Sequence, residues 1–522
     1  MPLTRTRGSS SPWQCSSAAV QQCSRAPSRT TLGWWKSSGS ATVGQCAPRE
    51  GEGNPMKNLA KFLGVLSAVF GAIVLRPVNS YQAFMLKSTA TAQTPGLVLL
   101  GSLAAILGVK HRSPLGVITG TLGAGIGVTY IRRTVAPHDR FARAFGRDWQ
   151  RRIQPEAERR MLRRRLTWRL PRVPEPRLTR DVPFCTITGT NRRLLADIWQ
   201  PPAGVEPSGT AIVYLYGGSW HFFDKDVLTR PLFRQLAAQG HVVMDAAHRS
   251  CPETDVTGMV GDVHRAVAWI KANAAQYGID SGRVVVMGGS SGAHIALLAA
   301  YAPDEPRLTP EDLRKVDTSV MAAVSYYGIP EMSSAYRRWL AQEEASPPPP
   351  TPRQRSEPGK LANAMYTLMM GRPLTAEQSP PAPPVRQLMR NLLGGLPDEV
   401  PEMYDLASPV HHVRASCPPT LMFQGTHDAV VPLQAARELY RALDTAGVPV
   451  VYIEFPWTEH AFDVMYPPMA NPAARAALYD LERFLACVAA DRQPAGQTAV
   501  NASRAHPRTN SPARDSGPSA GR

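Results

Sequence analysis

Cysteine is sparse in this chain and does not occur in metal-binding patterns. Seven cysteines are scattered over 522 residues, with no Cys-x-x-Cys pair and no cysteine–histidine spacing suited to zinc. We therefore expect no metal site and no disulfide framework. In a chain of this size the cysteines are best interpreted as small buried apolar residues.

Acidic residues are fewer than basic ones. The chain has 41 Asp and Glu residues and 58 Lys and Arg residues, which gives a formal net charge of +17. A basic surface attracts phosphate, so nucleic acid and anionic membranes are both candidate partners. The arginines concentrate between Arg132 and Arg180, directly after an apolar stretch, and no nucleic-acid-binding motif accompanies them. This placement favours membrane lipid and argues against nucleic acid.

The two ends of the chain lack any sustained apolar period. Residues 1–55 and 491–522 are polar and cannot bury enough surface to offset their conformational entropy, so we expect both to be disordered. At Met56 a basic start leads into an apolar run, as in a signal or membrane anchor. One hypothesis is that translation begins at Met56.

Apolar stretches follow one another over residues 56–135, and each is somewhat shorter than the ~20 residues that cross a bilayer. They are Phe62–Leu75, Gly96–Val109 and Leu115–Ile131. Uncharged, glycine-rich sequence such as 116–127 suits close helix packing in lipid. We predict a multi-pass membrane region of transmembrane helices here, with a buried helical hairpin in a soluble domain as the alternative.

Residues 136–180 are predicted to be an arginine-rich juxtamembrane linker. Their charge favours a cytoplasmic location for the domain that follows, whereas Lys57, Lys61, Lys110 and Arg112 favour the opposite orientation. If the helices are only an anchor, removing residues 1–135 should release an active fragment.

From residue 181 to residue 490 short apolar runs alternate with amphipathic helices, which is typical of a mostly parallel sheet covered on both faces. The predicted strands are Leu194–Trp199, Ala211–Tyr216, His241–Asp245, Arg283–Met287, Val320–Tyr326, Thr420–Gln424 and Val450–Phe455, and the predicted helices include Val256–Tyr277, Ala293–Ala300, Leu433–Ala446 and Ala473–Ala490. Residues 331–390, rich in proline and charge, interrupt the alternation as an insertion, which is either a lid or a surface loop.

A G-x-S-x-G motif, Gly288-Gly289-Ser290-Ser291-Gly292, lies between a predicted strand and a predicted helix. A serine hydroxyl is a weak nucleophile unless it is held exposed beside a base, and a strand–turn–helix elbow holds it so. The flanking glycines permit the tight turn. We predict Ser290 as the nucleophile; Ser291 is the rival, without glycines at the required offsets.

A second glycine-containing loop, Tyr216-Gly217-Gly218-Ser219-Trp220, follows the predicted strand at 211–216. Acyl transfer requires N–H donors for the oxyanion, and esterases present them in a loop at this point. The backbone N–H of Ser291, the residue after the nucleophile, is expected to complete the oxyanion hole.

An acid and a histidine follow the serine along the chain. The order serine, acid, histidine is the one that accompanies a G-x-S-x-G elbow. Asp428 follows the predicted strand ending at Gln424, and His460 follows the strand ending at Phe455. His460 can take the proton of Ser290, and Asp428 can fix the histidine tautomer. The neighbouring His427 and the helix residue His294 are interpreted as structural, and Asp463 is the next candidate for the acid.

With these residues assembled, the region of about 181–490 resembles the bacterial esterase/lipase group of α/β-hydrolases, similar to hormone-sensitive-lipase-like and feruloyl-esterase-like enzymes. The stretches that carry the resemblance include those beginning at Leu195, Asp245, Trp269 and Leu393, together with the elbow. The resemblance implies an α/β-hydrolase fold, a Ser290–Asp428–His460 triad, oxyanion amides from Gly218, Ser219 and Ser291, and a loop shaped by Gly217.

The sequence departs from the pattern of that family at two places. Tyr216 stands where the family usually has histidine before the glycines, and Ser219 where a third glycine is commoner. The stretch Asp245-Ala246-Ala247-His248-Arg249 replaces a compact Asp-Tyr-Arg.

These features predict a serine carboxylic-ester hydrolase that uses an acyl-enzyme and no cofactor, with a small-molecule ester as substrate. Two alternatives stay open. One is an amidase, either arylformamidase-like or a peptidase of the prolyl-oligopeptidase kind; the other is a ligand-binding homologue that keeps the fold without catalysis.

Overall fold

The computed structural model of the chain describes residues 54–78, 81–226, 228–345, 383–463 and 471–490. The predicted disordered segments, apart from residues 54 and 55, lie outside the described residues. So does the central, proline-rich part of the predicted insertion, residues 346–382.

Four helices precede residues 136–490, which contain the predicted catalytic residues and are termed the catalytic region. They are α1 (Pro55–Leu75), α2 (Tyr81–Ala92), α3 (Thr94–Lys110) and α4 (Pro114–Thr134). Helices α1, α3 and α4 coincide with the three predicted apolar stretches and pack together as a bundle. Among the described residues, α1 and α4 are long and apolar enough to cross a membrane, and the bent pair Leu86–Ala92 and Thr94–Lys110 would make a third span.

Small residues face the inside of this bundle and large apolar residues face outwards. Gly101 and Gly120 approach so closely that a Cβ on Gly120 would lie 2.6 Å from the carbonyl oxygen of Gly101. By contrast Phe62, Ile106 and Val109 are 63%, 65% and 70% exposed. This arrangement is the reverse of a water-soluble bundle, and small residues at helix contacts are typical of packing in lipid.

The catalytic region is built on a sheet that has eight strands within the described residues. They are β1 (Arg177–Thr186), β2 (Arg193–Gln200), β3 (Ala211–Leu215), β4 (Val242–Ala246), β5 (Val284–Gly289), β6 (Ala322–Tyr326), β7 (Thr420–Gly425) and β8 (Val450–Phe455). Their order across the sheet is β1-β2-β4-β3-β5-β6-β7-β8. The pairs β1–β2 and β2–β4 are antiparallel and the others are parallel.

Helices cover both faces of the sheet. Those of the catalytic region are α5 (Arg140–Phe145), α6 (Pro155–Glu158), α7 (Arg230–Ala238), α8 (Val256–Ala272), α9 (Ala274–Tyr277), α10 (Ser291–Tyr301), α11 (Met332–Glu344), α12 (Val385–Leu393), α13 (Pro401–Leu406), α14 (Leu433–Thr445) and α15 (Pro472–Ala490). Strand β3 shows why two cores form, because Val213 and Leu215 enter one apolar cluster while Ile212 and Tyr214 enter the other. The mostly parallel, doubly covered sheet agrees with the predicted α/β-hydrolase fold.

The segment predicted as a juxtamembrane linker packs against the catalytic region. Phe141 and Phe145 of α5 are buried in the core of one sheet face, beside α15. Arg165 donates a hydrogen bond to the Asp480 carboxylate at 2.7 Å, and the Leu162 N–H donates one to Glu482. Residues 136–180 therefore form part of the folded body around the sheet.

Candidate active site

The predicted nucleophile lies in a sharp turn between β5 and α10. Ser290 has φ = 55° and ψ = −126°, a conformation that L residues seldom adopt. A Cβ on Gly288 would lie 2.5 Å from the carbonyl carbon of Gly292, and a Cβ on Gly292 would overlap the carbonyl oxygen of Leu215. The two flanking glycines are thus required by backbone contacts on both sides of the serine.

The predicted acid and histidine lie beside this serine. The Ser290 Oγ is 2.9 Å from Nε2 of His460, and Nδ1 of His460 is 2.9 Å from Oδ2 of Asp428. All three residues follow parallel strands, β5, β7 and β8, whose carboxyl ends meet at one edge of the sheet. The acid and the histidine are 4% and 6% exposed.

Backbone and side-chain donors fix the acid. Oδ1 of Asp428 accepts hydrogen bonds from the N–H groups of Val430 and Val431, both at 2.8 Å. Oδ2 accepts a third from the Gln424 side chain at 2.7 Å, beside the bond from His460. With four donors directed at it, the group matches an ionised carboxylate, which only accepts. In that state Nδ1 of the histidine carries the proton and Nε2 is free to accept one from the serine.

The other candidate acid, Asp463, has a different partner. The hydroxyl of Tyr327 donates to Oδ1 of Asp463. The ring of Tyr327 in turn lies 4.5 Å from the ring of His460, between centroids. Asp463 therefore binds Tyr327, which packs against the ring of His460.

The four residues predicted for the oxyanion hole lie in two segments, the loop after β3 and the start of α10. A Cβ on Gly217 would lie 3.0 Å from the Cβ of Ser290, so this loop approaches the nucleophile closely. The N–H of Gly218 donates to the Ser291 hydroxyl at 2.9 Å. Ser219 takes a positive φ of 51°, and Ser291 begins α10, where backbone N–H groups have no partner within the helix. The amide of Gly218 thus already has an acceptor.

The two histidines interpreted as structural are buried or half-buried, with depressed pKa values that keep both neutral near pH 7. His294 accepts from the Trp220 indole at 3.1 Å, and its Nε2 donates to the carbonyl of Ala407 at 2.7 Å. Burial lowers the pKa of His294 to about 4. Burial, together with the nearby Lys87 charge, also lowers the pKa of His427 to about 4.

The described parts of the predicted insertion contact the site. Helix α11 directs Arg338 and Gln342 at the carbonyl of Ala429, at 3.0 and 2.8 Å, and Trp339 at the carbonyl of Val430, at 2.8 Å. These carbonyls follow the acid in the chain. The insertion therefore supports the acid loop as well as interrupting the strand–helix alternation.

Comparison with known proteins gives consistent relatives. The BD-FAE family model matches residues 196–351 and 372–443. The probable carboxylic ester hydrolase LipM of Mycobacterium tuberculosis is 31% identical over 293 residues, or 56% of this chain and 57% of LipM. Esterase LipQ of the same organism is 28% identical over 65% of this chain and 72% of LipQ. The family model and both relatives support the predicted likeness to the esterase group of the α/β-hydrolases. The chain spans a little over half the length of LipM and nearly three quarters of that of LipQ.

Among solved structures, esterase 2 of Thermogutta terrifontis is 22% identical to this chain, with a TM-score of 0.42. The match covers 60% of this chain and 94% of that one.

The two predicted departures from the esterase/lipase pattern contact each other. The Tyr216 hydroxyl donates to the carbonyl of His248 at 3.0 Å, and the two rings stack with centroids 4.3 Å apart. Tyrosine before the glycines and the longer stretch around His248 thus form one buried anchor for the oxyanion loop.

Sequence reasoning missed several side chains that support the site, namely Glu459, Lys87, Gln424 and Arg338. Glu459 is adjacent to the predicted histidine, and its carboxylate accepts from the N–H of Ala429 at 3.0 Å. The sequence signal that could have identified Glu459 is its position next to a predicted catalytic histidine. Lys87 comes from the N-terminal helices, and its sequence context in the short helix α2 contains no comparable signal.

Proposed function

We propose that the chain is a serine carboxylic-ester hydrolase that acts through an acyl-enzyme, with a small-molecule ester as substrate. The observation that carries the proposal is the pair of 2.9 Å contacts from Ser290 to His460 and from His460 to Asp428. The names of the relatives LipM and LipQ, both ester hydrolases, support the same chemistry.

In this mechanism His460 takes the Ser290 proton at Nε2 while the serine oxygen attacks the ester carbonyl. Asp428 holds the other ring nitrogen and stabilises the imidazolium that forms. The histidine then gives its proton to the leaving alcohol, and a water molecule repeats the sequence on the acyl-enzyme.

The developing oxyanion would be held by backbone amides of Ser219 and Ser291, with Gly217 allowing the close approach of the loop. Gly218 can contribute its N–H only after leaving its bond to the Ser291 hydroxyl. The hydroxyl of Ser291 is thus a support of the loop in this proposal and not a nucleophile.

The test is hydrolysis of a panel of nitrophenyl esters and aryl amides by full-length protein in detergent, together with labelling by a fluorophosphonate probe. Ser290→Ala is expected to abolish both hydrolysis and labelling, and Ser291→Ala, the matched control, should retain much of both. Loss of labelling in Ser291→Ala alone would reassign the nucleophile. Faster cleavage of aryl amides than of esters would favour the amidase alternative.

We further propose that the N-terminal helices span a membrane more than once, with the catalytic region on the cytoplasmic side. The supporting observations are the outward-facing large apolar residues, the glycine contacts inside and the arginines after α4. The protein should then remain with membranes after carbonate and high salt, which remove proteins held by charge alone. Protease added to sealed vesicles tests the orientation, and release by carbonate would contradict the anchor.

A further inference from the structure

A completely buried lysine from the N-terminal helices lies between the loops that carry the acid and the histidine. Lys87, on α2, is 0% exposed. Its Nζ donates to the carbonyl of Arg76 and to Nδ1 of His427, both at 2.6 Å, and lies 3.5 Å from Oε1 of Glu459. His427 precedes Asp428 in the chain, and Glu459 precedes His460. One ammonium therefore contacts the immediate neighbour of each of these two triad members.

Glu459 links the two loops directly. Its Oε2 accepts from the N–H of Ala429, the residue after the acid, and its Oε1 faces the lysine. Burial raises the pKa of Glu459 to about 7, and the nearby Asp428 charge adds to the rise. The positive charge of Lys87 opposes this rise. Without the lysine, an ionised Glu459 would be a buried charge that has no ion-pair partner among the described residues.

Two further contacts from α4 reach the same loop. The Tyr130 hydroxyl lies 3.0 Å from the Oγ1 of Thr458, and the Arg133 guanidinium stacks over Trp457, 4.9 Å from the ring centroid. Residues 457, 458 and 459 are consecutive and end at the predicted catalytic histidine. The N-terminal helices thus hold each of the three residues that lead to it.

We propose that Lys87 is a positioning residue for the triad, which makes the N-terminal helices a working part of the active site and not only an anchor. This inference rests on the proposed function. By binding His427 and Glu459 at once, the ammonium fixes the distance between the acid loop and the histidine loop. Small displacements matter, because a shift of about 1 Å in a catalytic group can cost about 100-fold in rate.

The test compares Lys87→Met with Lys110→Met in full-length protein in detergent. Lys110, at the end of α3, is an exposed lysine in the same helical region. Lys87→Met is expected to lower kcat by about 10- to 100-fold with little change in KM, since Lys87 contacts the acid and histidine loops and its loss changes the geometry of the triad. Lys110→Met should keep the kcat of the wild type.

A rescue separates positioning from general destabilisation. Glu459→Gln removes the charge that Lys87 neutralises, so the double variant Lys87→Met/Glu459→Gln should have a higher kcat than Lys87→Met alone. If the kcat losses of the two single variants simply multiply in the double variant, the inference is overturned. A Lys87→Met enzyme with wild-type kcat would overturn it too, and in both cases the proposed ester hydrolase activity would still stand. A wild-type protein without hydrolysis or probe labelling would instead refute the proposed function, and the inference with it.

Tyr130→Phe is the second test variant, used if Lys87→Met shows no cooperative thermal unfolding and is therefore not folded. It removes the hydroxyl that contacts Thr458, and with it the hydrogen bonds to Thr91 and Thr134, but leaves no buried charge unpaired. We expect a several-fold fall in kcat at constant KM, and an unchanged kcat would count against the role of the helices in positioning the histidine.

Discussion

The four hydrogen bonds on the Asp428 carboxylate make this side chain sensitive to loss of its charge. An amide at this position has one acceptor oxygen and one donor group, so at least one of the four donors loses its partner. If the amide nitrogen faces His460, the histidine is driven to the tautomer that cannot accept the serine proton.

Asp428→Asn is therefore expected to lower kcat by about 10⁴-fold while the protein still folds. The matched control is Asp463→Asn, because the Asp463 carboxylate accepts the Tyr327 hydroxyl. The measurement is the initial rate of nitrophenyl ester hydrolysis beside a thermal unfolding curve. A rate near that of the wild type in Asp428→Asn would place the acid elsewhere.

At the residue scale, positions close in the chain to strand ends could be predicted, and distant supports could not. Ser290, Asp428 and His460 each follow an apolar run, so their meeting at one sheet edge follows from the fold. Lys87 meets His427 across 340 positions of sequence. No local pattern specifies such a pairing, because it depends on how α2 docks on the catalytic region.

At the scale of elements, α4 offers two glycines with opposite surroundings. A Cβ on Gly123 would lie 2.6 Å from the carbonyl carbon of Ser67 on α1, whereas a Cβ on Gly125 would have nothing within 4 Å. The two positions are in the same helix and differ in whether a neighbouring backbone fills the space.

Gly123→Ala should force α1 and α4 apart and destabilise the bundle by about 1–3 kcal/mol, as overpacking does. Gly125→Ala should be neutral or raise stability by up to about 1 kcal/mol, through helix propensity. Thermal unfolding in detergent micelles measures both. Equal melting temperatures for the two variants would mean that α1 and α4 do not pack at this point.

The predicted strands all occur in the structure within a few residues of their expected ends, because buried apolar runs specify them. Strand β1 was missed. Its sequence is largely polar, contains Pro183 and alternates little, since it lies at the sheet edge and is exposed over much of its length. The predicted helix Val256–Tyr277 is interrupted at Asn273, which separates α8 from α9.

At the scale of the whole molecule, Glu482 joins the segment after the bundle to the last helix. Its carboxylate accepts from the N–H of Leu162 at 2.7 Å and from the Gln239 side chain at 2.6 Å, and it is 1% exposed. Burial raises the pKa of Glu482 to about 7, above its ordinary value of 4.5. Between these two pH values the folded protein keeps a proton that the unfolded chain releases, so stability falls as pH rises.

Glu482→Gln should remove this fall in the free energy of unfolding with rising pH. The fall amounts to about 3 kcal/mol at most, because one pKa unit corresponds to roughly 1.4 kcal/mol. The melting temperature of the variant is then expected to change less between pH 5 and pH 8 than that of the wild type. Glu438→Gln, at an exposed position, provides the control. Identical pH dependence in Glu482→Gln and the wild type would mean that Glu482 ionises normally.

The packing of residues 136–180 shows what composition alone misses at this scale. Runs of arginine suggest a solvated linker, yet a few apolar side chains between them, such as Phe141 and Phe145, are enough to dock the segment. Burial of single arginines is possible here because acidic partners such as Asp480 lie on α15, more than 300 positions away.

The position of Lys87 in the chain has a consequence for biosynthesis. The helices leave the ribosome first, while the residues that receive the ammonium are made at least 340 positions later. At about 5–20 residues per second, roughly 20 to 70 seconds separate the two events. During that interval the lysine has no partner from the catalytic loops, so a nascent chain that stops before residue 427 contains a complete bundle with an unneutralised cation at its end. Such a truncated product differs from the finished protein in a way that a quality-control protease could detect.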